Sequence, residues 1–215
     1  GVFYNVMEAH TNDQMQAIAE EIAPKMTEFS MYVSLNAPLF ERVKAVYEKK
    51  DSLGLDKDQM TLLENSYKGF VRGGANLPED KKAEYGKLSE ELSLATLQFG
   101  KNVLAATNAY TMHLTDSADL AGLPEFVKTM AAETAKEKGL EGWVFTLQAP
   151  SYGPFMQYST VRNLREDMWK AYNTRAVGGE NDNTEVVKKI VDLRYRIANI
   201  LGYETWADYV LEERM

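Results

Sequence analysis

Metal-assisted hydrolysis needs at least three ligands converging on one ion, commonly two histidines one helical turn apart. The chain has two histidines in all, His10 and His113, far apart in the sequence, and neither lies in an H-E-x-x-H pattern. Glu8 beside His10 is the nearest approach to a ligand pair, and an exposed or hydrogen-bonded histidine explains it more simply. Cysteine is absent, which removes disulfides, thiolate nucleophiles and Cys-based zinc or iron–sulfur sites. A serine triad would need a base histidine and a G-x-S-x-G turn to expose the nucleophile, and no such turn exists. The adjacent carboxylates Glu20-Glu21 and Glu90-Glu91 point in different directions on a helix and read as solvent-facing. Gly73-Gly74 and Gly178-Gly179 lack the Lys-Ser/Thr of a phosphate-binding loop and read as helix stops.

One polar–aromatic concentration is left: Tyr152 and Tyr158 with Arg162, Arg165 and Arg175. Such a grouping could meet a ligand, and a core or hinge role competes with that reading.

The elements that must position these residues are helices. Apolar residues recur at three- and four-residue steps through most of the chain, which puts them on one face of successive helices. The clearest run is 78–110, a long central helix with the stripe Tyr85, Leu88, Leu92, Ala95, Phe99, Val103, Ala106 and Tyr110. Pro78 suits its first turn, where proline's missing N–H is not needed. Asp56 and Gln59 have capping-box spacing, ahead of a buried face of Met60, Leu63, Tyr67 and Phe70 that Gly73-Gly74 ends. Thr11 with Gln14 repeats the capping spacing before Met15, Ile18, Ile22, Met26 and Phe29, in a helix that Pro24 is expected to kink or break. Asn36 caps a helix through Phe40, Val43 and Tyr47.

Two short runs rich in Tyr, Thr, Val, Phe and Trp, 109–115 and 143–148, read as paired strands separated by a helix near 124–138. Pro150, Gly153 and Pro154 make 149–162 a loop or broken helix. Helices resume with Leu164, Met168, Ala171 and Tyr172, then with Val187, Ile190, Leu193, Ile197 and Ile200, and a last one starts at Thr205 and is still in progress at Met215. The expected fold is mainly α: antiparallel helical hairpins around a long central helix, with one small two-stranded β element. No internal repeat of a solenoid is visible.

At 215 residues, 45% hydrophobic and 26% charged, the chain has the balance of a globular protein. Its net charge of −8, with no Lys/Arg cluster along one helix face, argues against nucleic acid and anionic membrane as partners. No apolar run reaches the length of a membrane span.

Several ordered runs resemble the thimet oligopeptidase family of zinc metallopeptidases, and most closely its bacterial peptidyl-dipeptidase (dipeptidyl carboxypeptidase) branch. They are Phe70-Val71-Arg72-Gly73-Gly74-Ala75, Gln98-Phe99-Gly100-Lys101-Asn102-Val103-Leu104 and Gly139-Leu140-Glu141-Gly142. After these come Asn163-Leu164-Arg165-Glu166, Asn173-Thr174-Arg175, Asp182-Asn183-Thr184, Leu201-Gly202-Tyr203 and Ala207-Asp208-Tyr209. Each is short, and the order and spacing carry the match, which spans nearly the whole chain.

The resemblance implies a helical enzyme of two lobes flanking a channel for short peptides, with zinc held by H-E-x-x-H and a further glutamate on the other lobe. No metal ligand or general base of the family maps onto this sequence, so residues 1–215 are expected to be a helical segment N-terminal to the catalytic lobe. Zinc would be bound outside this chain, and the catalytic lobe of the same polypeptide would be the partner. Large exposed apolar patches are then expected where that lobe would pack. Tyr152 and Arg175 are the substrate-channel candidates: a guanidinium can grip a peptide carboxylate through two parallel bonds, with a buried structural ion pair as the competing role for Arg175. The same resemblance fits a stand-alone helical interaction module derived from the peptidase, and H-E-x-x-H in the coding sequence past Met215 would decide between them. Cytoplasm and periplasm both stay open as compartments.

Overall fold

The computed structural model describes residues 1–214. Ten α-helices, two short 3-10 helices (Lys50–Ser52 and Ser117–Leu120) and one two-stranded sheet make up the regular structure among them, which is the mainly α class expected. The helices are α1 Val2–Ala9, α2 Asp13–Ser34, α3 Ala37–Tyr47, α4 Lys57–Arg72, α5 Glu79–Ala109, α6 Glu125–Glu137, α7 Ala149–Tyr158, α8 Arg162–Asn173, α9 Thr184–Ile200 and α10 Trp206–Leu211. The strands are β1 Met112–Leu114 and β2 Trp143–Phe145, paired antiparallel with His113 opposite Val144. The chain divides into two compact units: residues 1–98 with 186–215, and residues 99–185.

In the first unit, caps readable in the sequence start the helices. Asp56 accepts from Gln59 N at 2.8 Å while Gln59 Oε1 accepts from Asp56 N at 3.2 Å, so the capping box is complete. Asn36 Oδ1 accepts from Leu39 N at 2.9 Å and opens α3, which packs on α4. The core joins Tyr85, Leu88 and Ala95 of α5 to Ile190, Leu193 and Ile197 of α9. Burial pushes the pKa of the Tyr85 hydroxyl up, with a smaller contribution from Tyr209.

Helix α2 departs from expectation. Its cap is Asn12, which accepts from Met15 N at 2.9 Å, and Thr11 Oγ1 is buried without a partner. Pro24 lies inside the helix without ending it. The face it buries is set by Ala19 and Ala23, whereas Met26 is 55% exposed and Phe29 62%. Small side chains allow close approach of a neighbouring backbone, so packing followed the alanines rather than the large apolar stripe. The last helix also differs: α10 ends at Leu211. Met215, where the apolar pattern left a helix in progress, lies outside the described residues.

In the second unit, Met112, Leu114, Leu123, Val127, Phe145, Phe155 and Met168 form the core. Gly142, before β2, has φ +88, and a Cβ there would meet Leu114 O at 2.4 Å, so only glycine lets the two strands close. Residues 149–158 are helical despite Pro150 and Pro154. Pro150 sits in the first turn, where its missing N–H costs nothing. Phe155 is wholly buried, 4.7 Å from the Phe145 ring, and that burial outweighs the breaker residues around it.

Candidate functional site

Arg175 follows the last turn of α8 and is anchored from two sides. Its Nε donates to Tyr172 O at 2.8 Å, and its Nη1 donates to Thr107 Oγ1 on α5 at 3.2 Å. The guanidinium carbon lies 3.7 Å from the Tyr172 ring centroid, a cation–π contact. Tyr152 of α7 stacks on the same ring, 4.0 Å between centroids and 18° from parallel. Two groups this close to one centroid must lie on its opposite faces, so Tyr172 is sandwiched between Tyr152 and Arg175. The structural ion pair expected as one role for Arg175 does not form among the described residues, because α5 and α8 present it with a hydroxyl and a carbonyl instead of a carboxylate.

Arg175 also lines a cleft of about 220 Å³, with Ala106, Tyr110, Leu147 and Ala171 as apolar surfaces and Glu180 among its polar ones. Burial, aided by the Asp167 carboxylate, pushes the pKa of the Tyr110 hydroxyl up, so this group is a neutral phenol at physiological pH. The 174–183 loop that shapes the cleft is tied down at both ends. Asp182 Oδ1 accepts from Gly178 N at 2.9 Å and from Thr184 N at 3.1 Å, and Asn183 N donates to Ala176 O at 2.8 Å. Asn183, 4% exposed, donates to Phe99 O and accepts from Asn102 Nδ2, fixing the loop to α5. Ala176 takes the left-handed conformation, φ +56, a position that favours glycine.

The rest of the polar–aromatic concentration disperses. Arg165 donates from Nη1 to Ser159 O, holding the turn between α7 and α8. Arg162 and Arg165 line a different depression with Glu166 and the half-exposed Trp169, and Tyr158 does not line either cleft. His113 is exposed on β1 and its Nε2 is within 2.6 Å of Glu141 O, which accounts for it structurally. His10 is the exposed residue closing α1. Among the described residues no three His, Asp or Glu side chains come together as a metal site, so the groups described do not fit a zinc ion. Nor is any helix among them long and apolar enough to cross a membrane.

Residues 155–215 match the model of peptidase family M3. The dipeptidyl carboxypeptidase of Escherichia coli K12 is 34% identical over 100% of this chain and 32% of its own length. Oligopeptidase A of the same organism is 34% identical over 94% of this chain and 30% of its own, and the probable cytosolic oligopeptidase A of Arabidopsis thaliana 32% identical over 100% and 32%. The chain is a relative of the family M3 peptidases. It spans about a third of the length of the curated relatives it matches.

The runs that carry the likeness to family M3 have structural work in this fold. Arg72, itself in one of them, ends α4 and meets two others: its Nη1 donates to the Tyr203 hydroxyl at 3.1 Å and its Nη2 to Tyr209 O at 2.6 Å, and Nη1 donates also to Glu212. The Tyr203 hydroxyl donates to the same Glu212 carboxylate. That hydrogen bond, with the Arg72 charge, lowers the pKa of the Glu212 carboxyl, and the same bond together with burial raises that of the Tyr203 hydroxyl. Asn102 and Asn183, from two further runs, lock the 174–183 loop to α5. Sequence reasoning missed Thr107, Tyr172 and Arg72 as partners in these clusters. Only the spacing of Tyr172 and Arg175, three apart at a helix end, could have signalled one of these contacts.

Proposed function

We propose that this chain is the helical, non-catalytic part of a zinc metallopeptidase that hydrolyses short peptides and releases dipeptides from their C-termini. In this reading residues 1–215 precede the zinc-binding catalytic lobe of the same polypeptide and form one wall of the substrate channel, which limits access to short, unstructured peptides. Zinc, bound outside this chain, would activate the attacking water, and the residues of this chain, which do not fit the ion, take no part in that step. What this chain contributes is shape and positioning. Tyr152 and Arg175 are the channel-facing candidates, with Tyr152 steadying the Tyr172 ring that orients the guanidinium.

The observation that carries the reading is the coverage: about 34% identity to two peptidases along nearly all of this chain, against about a third of theirs. Exposed apolar side chains support it as well. Helix α2 leaves Met26, Phe29 and Tyr32 exposed, and α9 leaves Val187, Val191 and Tyr195 exposed at four-residue spacing, which places them on one face. Such rows are what a packing partner would cover.

The test is an activity comparison on a short quenched peptide with zinc. The protein extended to the relatives' length is expected to cleave it and the 215-residue chain to be inactive. Cleavage by the 215-residue chain alone would overturn the non-catalytic role, and inactivity of the extended protein would overturn the peptidase reading.

A further inference from the structure

Arg194 of α9 has no hydrogen bond or ion pair among the described residues, and its Nε is buried there without an acceptor. Its contact is with the Trp206 ring, whose centroid lies 5.6 Å from the guanidinium carbon. A ring face attracts the charge but offers no oxygen to the in-plane N–H donors. A buried donor left without an acceptor is costly, and nearly all such groups in native proteins have one. Nearby cations of the same helix are paired: Lys189 meets Glu91 and Arg196 meets Asp192, each at 3.5 Å. Arg194 stands seven residues after Val187 and three after Val191, so it shares a face with them and with Tyr195. Those three apolar side chains are 43%, 60% and 54% exposed. The face therefore combines an apolar row with a guanidinium that lacks its acceptor.

We infer that this face of α9 is a docking site for a segment of the same polypeptide outside residues 1–215, and that a carboxylate on that segment accepts from Arg194. Charge complementarity sets the chemistry. The row calls for apolar side chains, and the guanidinium beside it calls for an Asp or Glu that its planar fork can hold through parallel hydrogen bonds. An uncharged apolar segment would seal Arg194 in without an acceptor, and a basic one would repel it. A second copy of this chain fits less well. Set against itself about a two-fold axis, the face would bring two Arg194 side chains together, and the neighbouring Asp192 is already taken by Arg196. The relatives supply the source, since this chain spans about a third of their length. This inference deepens the peptidase reading by naming the chemistry of the packing partner and one point of attachment, and it rests on that reading for the existence of the segment.

Arg194→Met tests this by the sign of its effect, since it keeps an apolar stem and a sulfur contact for Trp206 while removing the unsatisfied donor. In the 215-residue chain it should raise the melting temperature by about 2–4 °C. In the protein extended to the relatives' length it should lower the melting temperature, because the docked carboxylate loses its partner. Backbone hydrogen exchange across 187–195, read by mass spectrometry, should be about tenfold slower in the extended protein than in the 215-residue chain. Val191→Glu, at a position 60% exposed, should leave the melting temperature of the 215-residue chain unchanged and abolish that protection in the extended protein. Should Arg194→Met fail to fold, the exchange comparison and Val191→Glu decide. A shift of the same sign in both proteins, equal exchange across 187–195, or protection that survives Val191→Glu would each overturn the proposal. So would a 215-residue chain that sediments as a dimer and is dissociated by Val191→Glu, since a second copy then covers the face. The two readings fail separately: an extended protein that protects 187–195 but does not cleave the quenched peptide sinks the peptidase reading alone, and one that cleaves it without that protection sinks the docking site alone.

Discussion

Each unit of the molecule contains an arginine seated on tyrosine rings, and the two differ in what completes the guanidinium. Arg72 lies 4.4 Å from the Tyr209 centroid, with its side chain 12% exposed, and it meets Glu212, the Tyr203 hydroxyl and the Tyr209 carbonyl. Glu213 adds a longer contact at 3.9 Å and is itself paired with Lys68. Arg175 has a comparable ring contact but meets a hydroxyl and a carbonyl and no carboxylate. The first cluster is electrostatically closed and fastens α4 to the 203–213 segment. The second is held in place yet keeps donors to spare. Aromatic seating fixes where an arginine sits; the carboxylates around it decide whether its donors are used up or left over.

The comparison can be broken at several strengths. Phe155→Ala removes a wholly buried ring from the core behind the Tyr152–Tyr172–Arg175 stack, and should cost about 3–5 kcal/mol in denaturant unfolding. A cost near that of a surface substitution would mean that the stack does not depend on this core. Arg72→Ala should cost less, about 2–3 kcal/mol, since it strips a charged donor from three partners and leaves Tyr209 O unpaired. Arg175→Ala should cost about 1–2 kcal/mol, for two hydrogen bonds and a cation–π contact with no charge left unpaired. Thermal or urea melts that reversed the order of the two arginine variants would contradict the distinction between the closed cluster and the open one.

The smallest expected effect is in the pH profile. Glu212 has its pKa lowered, so its contribution is fully present above the ordinary carboxylate range and is lost as pH falls through the lowered value. Tyr203 has its pKa raised, so its contribution is present below the ordinary phenol range and is lost as pH rises toward the raised value. Melting temperature should therefore be flat around neutrality and decline at both extremes. Tyr203→Phe should remove the alkaline decline that this pair contributes and leave the acid one shallower. An unchanged profile in that variant would show that the Arg72 cluster does not couple to pH.

Part of this fold is legible residue by residue. Asp56 with Gln59 and Asn36 announce helix starts, because a cap is a local contest between one side chain and the first free backbone N–H groups. Of the long stripe on α5, Tyr85, Leu88 and Ala95 are buried as the spacing foretells, whereas Phe99 is 38% exposed. The chain's resemblance to the thimet oligopeptidase family agrees with its relation to peptidase family M3, and identity is equal at 34% to an oligopeptidase A and to a dipeptidyl carboxypeptidase. Other features are illegible for a physical reason. The 149–158 segment has two prolines and a glycine in ten residues, and reads as a break until Phe155 has a pocket to fill. Helix α2 displays a regular large-residue stripe but buries Ala19 and Ala23.

The lack of a complete metal or nucleophile pattern, the helical class and its main caps were written in the sequence, because they depend on residue identity and on neighbours within about one helical turn. What Arg175 and Arg72 each became was decided only by the tertiary structure. Thr107, Tyr152 and Tyr172 come from three separate helices, and Arg72 stands more than a hundred residues from Tyr203, Tyr209 and Glu212. A guanidinium's role is set by which acceptors reach it through space, and sequence spacing carries no record of that.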